Sequence, residues 1–241
     1  MDPLKTAIAT ASPITSIGSL FMLDGQTYKR GAELGFQGLD FYVTGRGGVL
    51  GEVDADVVAA AFTFFEPTAL RALWDQGRTV MPAGQAAIEF AGSCAAWADL
   101  RVPDDFDAAR LAELAGKVVA TARPACAPVF AGWRSLPVPT APKAAAVHQM
   151  NGLRELRGGL HGAAVVSSGL TPLEALSAKT PGMVPMFGWP AAAETEGVLS
   201  ALETVEAHTN RSIAHAFAEL DEAERSELVE LSTALHESTT G

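Results

Sequence analysis

Leu153-Arg-Glu-Leu-Arg-Gly-Gly-Leu-His-Gly-Ala-Ala-Val-Val-Ser-Ser-Gly-Leu170 sets two arginines, a glutamate and a histidine into a run with the pattern of a buried helix. On a helix, Arg154, Arg157 and His161 stand at i, i+3 and i+7 and share one face. Leu153, Leu156, Leu160 and Ala164 form a second, apolar face. Gly158, Gly159 and Gly162 each lower helix propensity by roughly 1 kcal/mol relative to alanine. Glycines kept at that cost indicate close backbone approach, by a neighbouring helix or by a ligand. Both readings stand at this point: arginines paired with Glu155 and other acids while glycines admit a neighbour, or a ligand site.

Working outward, the 241 residues suffice for one large domain or two intimate small ones. Hydrophobic residues make up 48% against 19% charged, enough for a sizeable core, and the alanine-rich composition favours helices over sheets. No run of about 18 uninterrupted apolar residues occurs, and the amino terminus lacks a signal-peptide layout, so no membrane association is expected. Cys94 and Cys126 lack metal-ligand spacing and read as buried free thiols of a cytoplasmic protein. The formal charge is -11, from 28 acids and 17 bases. Phosphate-binding surfaces need clustered bases, and the densest groups here, Lys29-Arg30 and Arg154/Arg157, stand among acids, so direct DNA binding is disfavoured.

Three segments are expected. Residues 1–123 form an amino-terminal helical domain, 124–143 a proline-rich hinge, and 144–241 a carboxy-terminal helical domain. Residues 1–20 read as a loose arm, because Pro3 and Pro13 interrupt any early helix. Helices are predicted over about 25–42, 54–65, 67–75, 84–100, 104–122, 144–168, 194–220 and 221–236, with Thr171-Pro-Leu-Glu174 opening another through a capping box. Between 42 and 54, Thr44-Gly-Arg-Gly-Gly48 reads as a turn.

Several motifs in order, among them Gly45-Arg46…Leu50-Gly51, Phe65-Glu-Pro67…Trp74, Cys94-Ala-Ala-Trp97, Phe130-Ala-Gly-Trp133-Arg134, Leu153-Arg-Glu-Leu-Arg-Gly…His161 and Gly169-Leu-Thr-Pro-Leu-Glu-Ala175, carry a resemblance. The chain resembles actinobacterial all-helical proteins usually described as helix-turn-helix proteins. The resemblance implies an all-α multi-helix bundle with a winged-helix unit after a Gly-Trp-Pro turn. Here Gly188-Trp-Pro190 runs almost directly into Glu206-Ala-His-Thr209-Asn210, which implies a truncated, degenerate winged-helix-like part. The family's Arg-Gly-Asp-Gly-His motif appears as Arg157-Gly-Gly-Leu-His161, and its Thr-Asp as Thr209-Asn210. Chemistry that relies on those two carboxylates is therefore not expected.

His161 is the leading candidate for proton transfer, its ordinary pKa near 6.5 being suited to neutral pH. Glu155 or Glu206 is available to orient it, and Arg154 or Arg157 to hold a carboxylate or enolate. The alternative is a core histidine satisfied by its neighbours. Arg46 lies in a glycine-rich turn that offers backbone N–H groups to an anion but lacks P-loop spacing. Phe130, Trp133 and Trp189 either wall an apolar pocket or plug gaps between helices. His208 and His215, seven apart on one helix, stand about 10 Å apart along its axis, too far to share a metal. No metal and no cofactor is expected. Val198, Leu202, Val205, Leu231 and Leu235 offer a homodimer seam or fold back on their own subunit. The expected function is a small-molecule-binding helical protein, specifically a cofactor-free acid–base enzyme of specialised metabolism. The alternatives are a ligand-sensing regulator or a partner-binding scaffold.

Overall fold

Twelve α-helices make up the fold in a computed structural model that describes residues 1–240. They are α1 Pro3–Leu20, α2 Gly25–Leu34, α3 Asp40–Gly47, α4 Ala55–Ala61, α5 Pro67–Val80, α6 Ala83–Arg101, α7 Ala108–Thr121, α8 Pro128–Arg134, α9 Pro142–Ser167, α10 Pro172–Lys179, α11 Val198–Phe217 and α12 Glu222–Thr240. No strand occurs among the described residues. The fold is all-α. After Gly188-Trp-Pro190, where the resemblance implies a shortened wing, residues 191–197 are bend, loop and turn, and α11 follows from Val198.

Helix α9 is the axis of the molecule. Pro142 sits at its start, where a missing N–H costs nothing. Sixteen of its 26 residues are buried, far more than a one-sided amphipathic helix would hide. Helices α1, α6, α7, α8 and α11 all pack against it. One buried apolar cluster extends from Ala7 through Phe90 and Met150 to Leu235, drawing on both sides of residues 124–143. The proline-rich segment carries α8, whose Val129, Phe130 and Trp133 enter this core.

Residues 3–20 are a helix, not a loose arm. Pro3 occupies the first turn, and the Asp2 side chain caps it by accepting from the Lys5 N–H at 3.0 Å. Pro13 lies inside the helix yet is buried, so packing against α9, α11 and α12 outweighs the lost backbone bond. This stretch through Leu23 is long and apolar enough to cross a membrane, but half of its most apolar part is buried within the protein. The helix expected over 25–42 is two helices. Gly35 (φ +103°) and Gly38 (φ +55°) hold left-handed conformations that stop α2 before α3 begins.

The capping box predicted at α10 is present, with Thr171 Oγ1 accepting from the Glu174 N–H and Glu174 from the Thr171 N–H. Val198, Leu202, Val205 and Leu235 are buried within the single chain. Cys94 is buried as expected and Cys126 is exposed, a correction to the reading of both as buried thiols.

Close approach fixes α8 against the turn after α3. A Cβ on Gly132 would stand 2.2 Å from the Val49 carbonyl oxygen, which is backbone and has little room to retreat. Gly132→Ala should therefore lower the unfolding free energy by about 1–3 kcal/mol in urea titration; an unchanged midpoint would show that the two elements separate freely.

Candidate functional site

The polar face of α9 meets the end of α3 around one buried carboxylate. Glu155 is 1% exposed in its side chain. Arg46 donates to it from Nε at 2.8 Å and Nη2 at 2.7 Å, a two-pronged pair, and Arg154 Nη1 donates at 2.7 Å. The Tyr42 hydroxyl accepts from Arg46 Nη1 at 3.4 Å, and the Phe62 ring lies 4.3 Å from the guanidinium carbon. Burial alone would raise the Glu155 pKa; Arg46 and Arg154 outweigh it and hold the carboxyl below its ordinary value. Burial likewise opposes the charged Arg46, and Glu155 more than compensates, so its pKa is raised.

Arg46 does not sit in an anion-cradling loop. It belongs to the last turn of α3, and the surrounding glycines serve packing. A Cβ on Gly45 would stand 2.6 Å from the Phe90 side chain, and one on Gly48 2.0 Å from the Ala83 carbonyl oxygen. Those contacts press α3 and its following turn onto α6 and aim Arg46 inward.

Next along α9, Arg157 is 11% exposed in its side chain and donates from Nη2 to Glu206 of α11. Burial lowers its pKa, and Glu206 opposes that shift. The Nε atoms of Arg154 and Arg157 are buried and have no hydrogen-bond partner. His161 Nδ1 lies 3.2 Å from Thr209 Oγ1 and 3.9 Å from Glu206. The Thr209 hydroxyl itself donates to the Val205 carbonyl at 2.9 Å, so its oxygen is the acceptor for an Nδ1–H. That arrangement assigns the proton to Nδ1 and leaves Nε2 as the acceptor. Burial, then Arg157, lower the His161 pKa, partly opposed by Glu206. The site thus favours the neutral imidazole.

Arg46, Arg154, Glu155, Arg157 and His161 line a cavity of about 190 Å³. Its apolar wall is Tyr42, Phe62, Phe64, Phe65 and Phe187, with Ala127–Val129 on another side. Phe64 stacks on His161 at 5.9 Å between ring centroids, and Trp189 Nε1 donates to the Phe64 carbonyl at 2.8 Å. The α9 glycines have distinct reasons. A Cβ on Gly159 would stand 2.6 Å from the Cys126 carbonyl oxygen and one on Gly162 2.7 Å from Thr63 Oγ1, whereas Gly158 has nothing within 4 Å. Two of the three glycines admit neighbouring chain, and Gly158 lies at the cavity.

Arg46, Arg154, Glu155, Arg157 and His161 thus converge on one cavity. Phe130 and Trp133 do not. Both are fully buried, with Arg134 over the Phe130 ring, and Trp133 donating to the His148 carbonyl at 3.0 Å and stacked on that histidine. Trp189 supports the wall through Phe64 without lining the cavity. Glu155 is committed to two arginines, and the carboxylate nearest His161 is Glu206. The aromatic wall was missed because Phe62-Thr-Phe-Phe65 continues an apolar helical pattern; the structure ends α4 at Ala61 and turns those residues inward. Among the described residues, no cluster of metal-ligating side chains occurs.

A model of a helix-turn-helix family matches residues 7–197. The chain belongs to this helix-turn-helix family. The match begins in α1 and stops just before α11, so the matched residues include every one that lines the cavity, while Glu206 and Thr209, beyond it, contact Arg157 and His161. No curated protein and no solved structure matches the chain.

Glu155 gives the site a signed pH dependence. Its folded pKa is lowered, so its pairing stabilises the fold above the ordinary value of 4.5, and the contribution is lost as pH falls below that value. Glu155→Gln should cost about 3–5 kcal/mol at pH 7 by leaving the arginines under-compensated. It should also flatten the acid limb of a stability–pH curve measured by chemical denaturation. A variant with wild-type stability at pH 7 and an unchanged acid limb would contradict this account.

Proposed function

We propose that the protein binds a compact organic anion, an acidic group on a single aromatic or similarly sized apolar ring, in the cavity beside α9. The observation that carries this is the local charge count: three arginines, Arg46, Arg154 and Arg157, face two carboxylates, Glu155 and Glu206. One positive charge is in excess, and two buried Nε–H donors have no partner. A buried guanidinium donor without an acceptor is costly, and an incoming carboxylate supplies one. Size points the same way. A dry cavity of about 150 Å³ accepts benzene, and this one, at about 190 Å³, has room for such a ring and a small substituent.

Membership of the helix-turn-helix family supports reading this binding as ligand sensing by a regulator. The basic residues Arg30, Arg71, Arg78, Arg101, Arg110, Lys117 and Lys143 each pair with an acid, so DNA binding would need these pairs rearranged or another surface. Mobility shifts at low salt, with and without ligand, test that output; no retardation at any salt removes it. A second reading is favoured by the His161 tautomer. A neutral imidazole with a free Nε2 acceptor beside two arginines suits cofactor-free proton abstraction from an acidic ligand.

Thermal-shift and calorimetric titration against a panel of monocyclic carboxylates, benzoate included, should give saturable binding to wild type. Arg157→Gln should weaken it by at least about tenfold, the loss of one charge-assisted contact. Binding with unchanged affinity in that variant would remove Arg157 from the site, and no binding of any panel member to wild type would end the proposal.

A further inference from the structure

Arg46 and Arg157 differ in how completely each is paired. Glu155 takes both Nε and Nη2 of Arg46, the two parallel donors on one edge of the guanidinium. On Arg157, Glu206 takes Nη2 alone, and the adjacent Nε is buried with no partner. A carboxylate that meets Arg157 as Glu155 meets Arg46 needs both donors. It therefore competes with Glu206, whose side chain is 42% exposed and free to turn to water.

Resting on the anion-binding reading above, we propose that Glu206 is an internal counter-ion that the ligand displaces, and that its displacement releases the first half of α11. Two polar links tie the middle of α11 to α9: Glu206 to Arg157 at the end of the first half, and Thr209 to His161 just beyond it. The apolar contacts of the first half belong to a small cluster of Val198, Leu202 and Val205 with Ala164, Val165 and Ala175, separate from the main core. Ile213 and Phe217, further along, belong to the main core. The helix is thus anchored along its second half, and the Glu206 latch lies where the first half meets it. Phe64 packs against the small cluster while lining the cavity and stacking on His161. A ligand therefore reaches α11 by two routes, one electrostatic and one steric. Differential contact of this kind is what lets a ligand shift a conformational equilibrium.

Hydrogen exchange and benzoate titration of wild type and Glu206→Gln test the latch. Without ligand, the variant should exchange several-fold faster than wild type over residues 198–206, with 210–217 unchanged. It should bind benzoate roughly five- to tenfold more tightly, since the competing carboxylate is gone. Saturating benzoate should raise exchange over the same segment in wild type. Unchanged exchange in the ligand-free variant overturns the latch. Equal benzoate affinity in the two proteins overturns displacement while leaving the pocket reading intact. Binding by neither protein overturns the pocket reading and the displacement together.

Discussion

Glu155 is a carboxylate almost without water, and a single charge in that position is tolerable only because two guanidiniums close on it. The requirement reaches well beyond α9. Arg46 must arrive from α3, so α3 must lie flat on α6, and Gly45 and Gly48 permit that approach. Arg154 must pass α1, and Gly18 gives it room, since a Cβ there would stand 2.6 Å from the arginine Cδ. Phe62 then covers the Arg46 guanidinium and sets the cavity wall. With the carboxylate shared between two arginines, Arg157 completes an excess of positive charge that the protein itself leaves incompletely matched.

The polar face of α9 was legible because helical periodicity needs only the sequence: Arg154, Arg157 and His161 at i, i+3 and i+7 lie together in the structure. The all-α class was legible for the same reason. Arg46 was found as a residue and misplaced in its setting, because three nearby glycines signal a turn as strongly as they signal tight helix packing. α1 was missed because local propensity weighs Pro13 heavily, while the partners that compensate for it lie more than a hundred residues away in α9, α11 and α12. Phe130 and Trp133 show the limit for aromatics. Nothing in their spacing separates a pocket wall from a plug, and burial against α9 made them plugs.

The helix-turn-helix family match and the site geometry divide the chain at the same place. Up to residue 197 lie the arginines, Glu155, His161 and the aromatic wall; after it comes α11, which contributes Glu206 and Thr209. The cavity is thus lined by one part of the chain, and two of its polar side chains, Arg157 and His161, are held by the other. The same division shows in His161, carried by α9, whose tautomer is set by a hydroxyl on α11 that is itself committed to Val205.

The position of α1 has a consequence for biosynthesis. Its buried side, Ala7, Ile14 and Ile17 among them, is covered by helices whose residues are added long after its own. Throughout that interval the nascent chain carries an apolar helix with no partner, long enough to be mistaken for a membrane span. Such a segment is a natural client for chaperones that bind emerging apolar chain, and a point at which slow synthesis favours aggregation over folding.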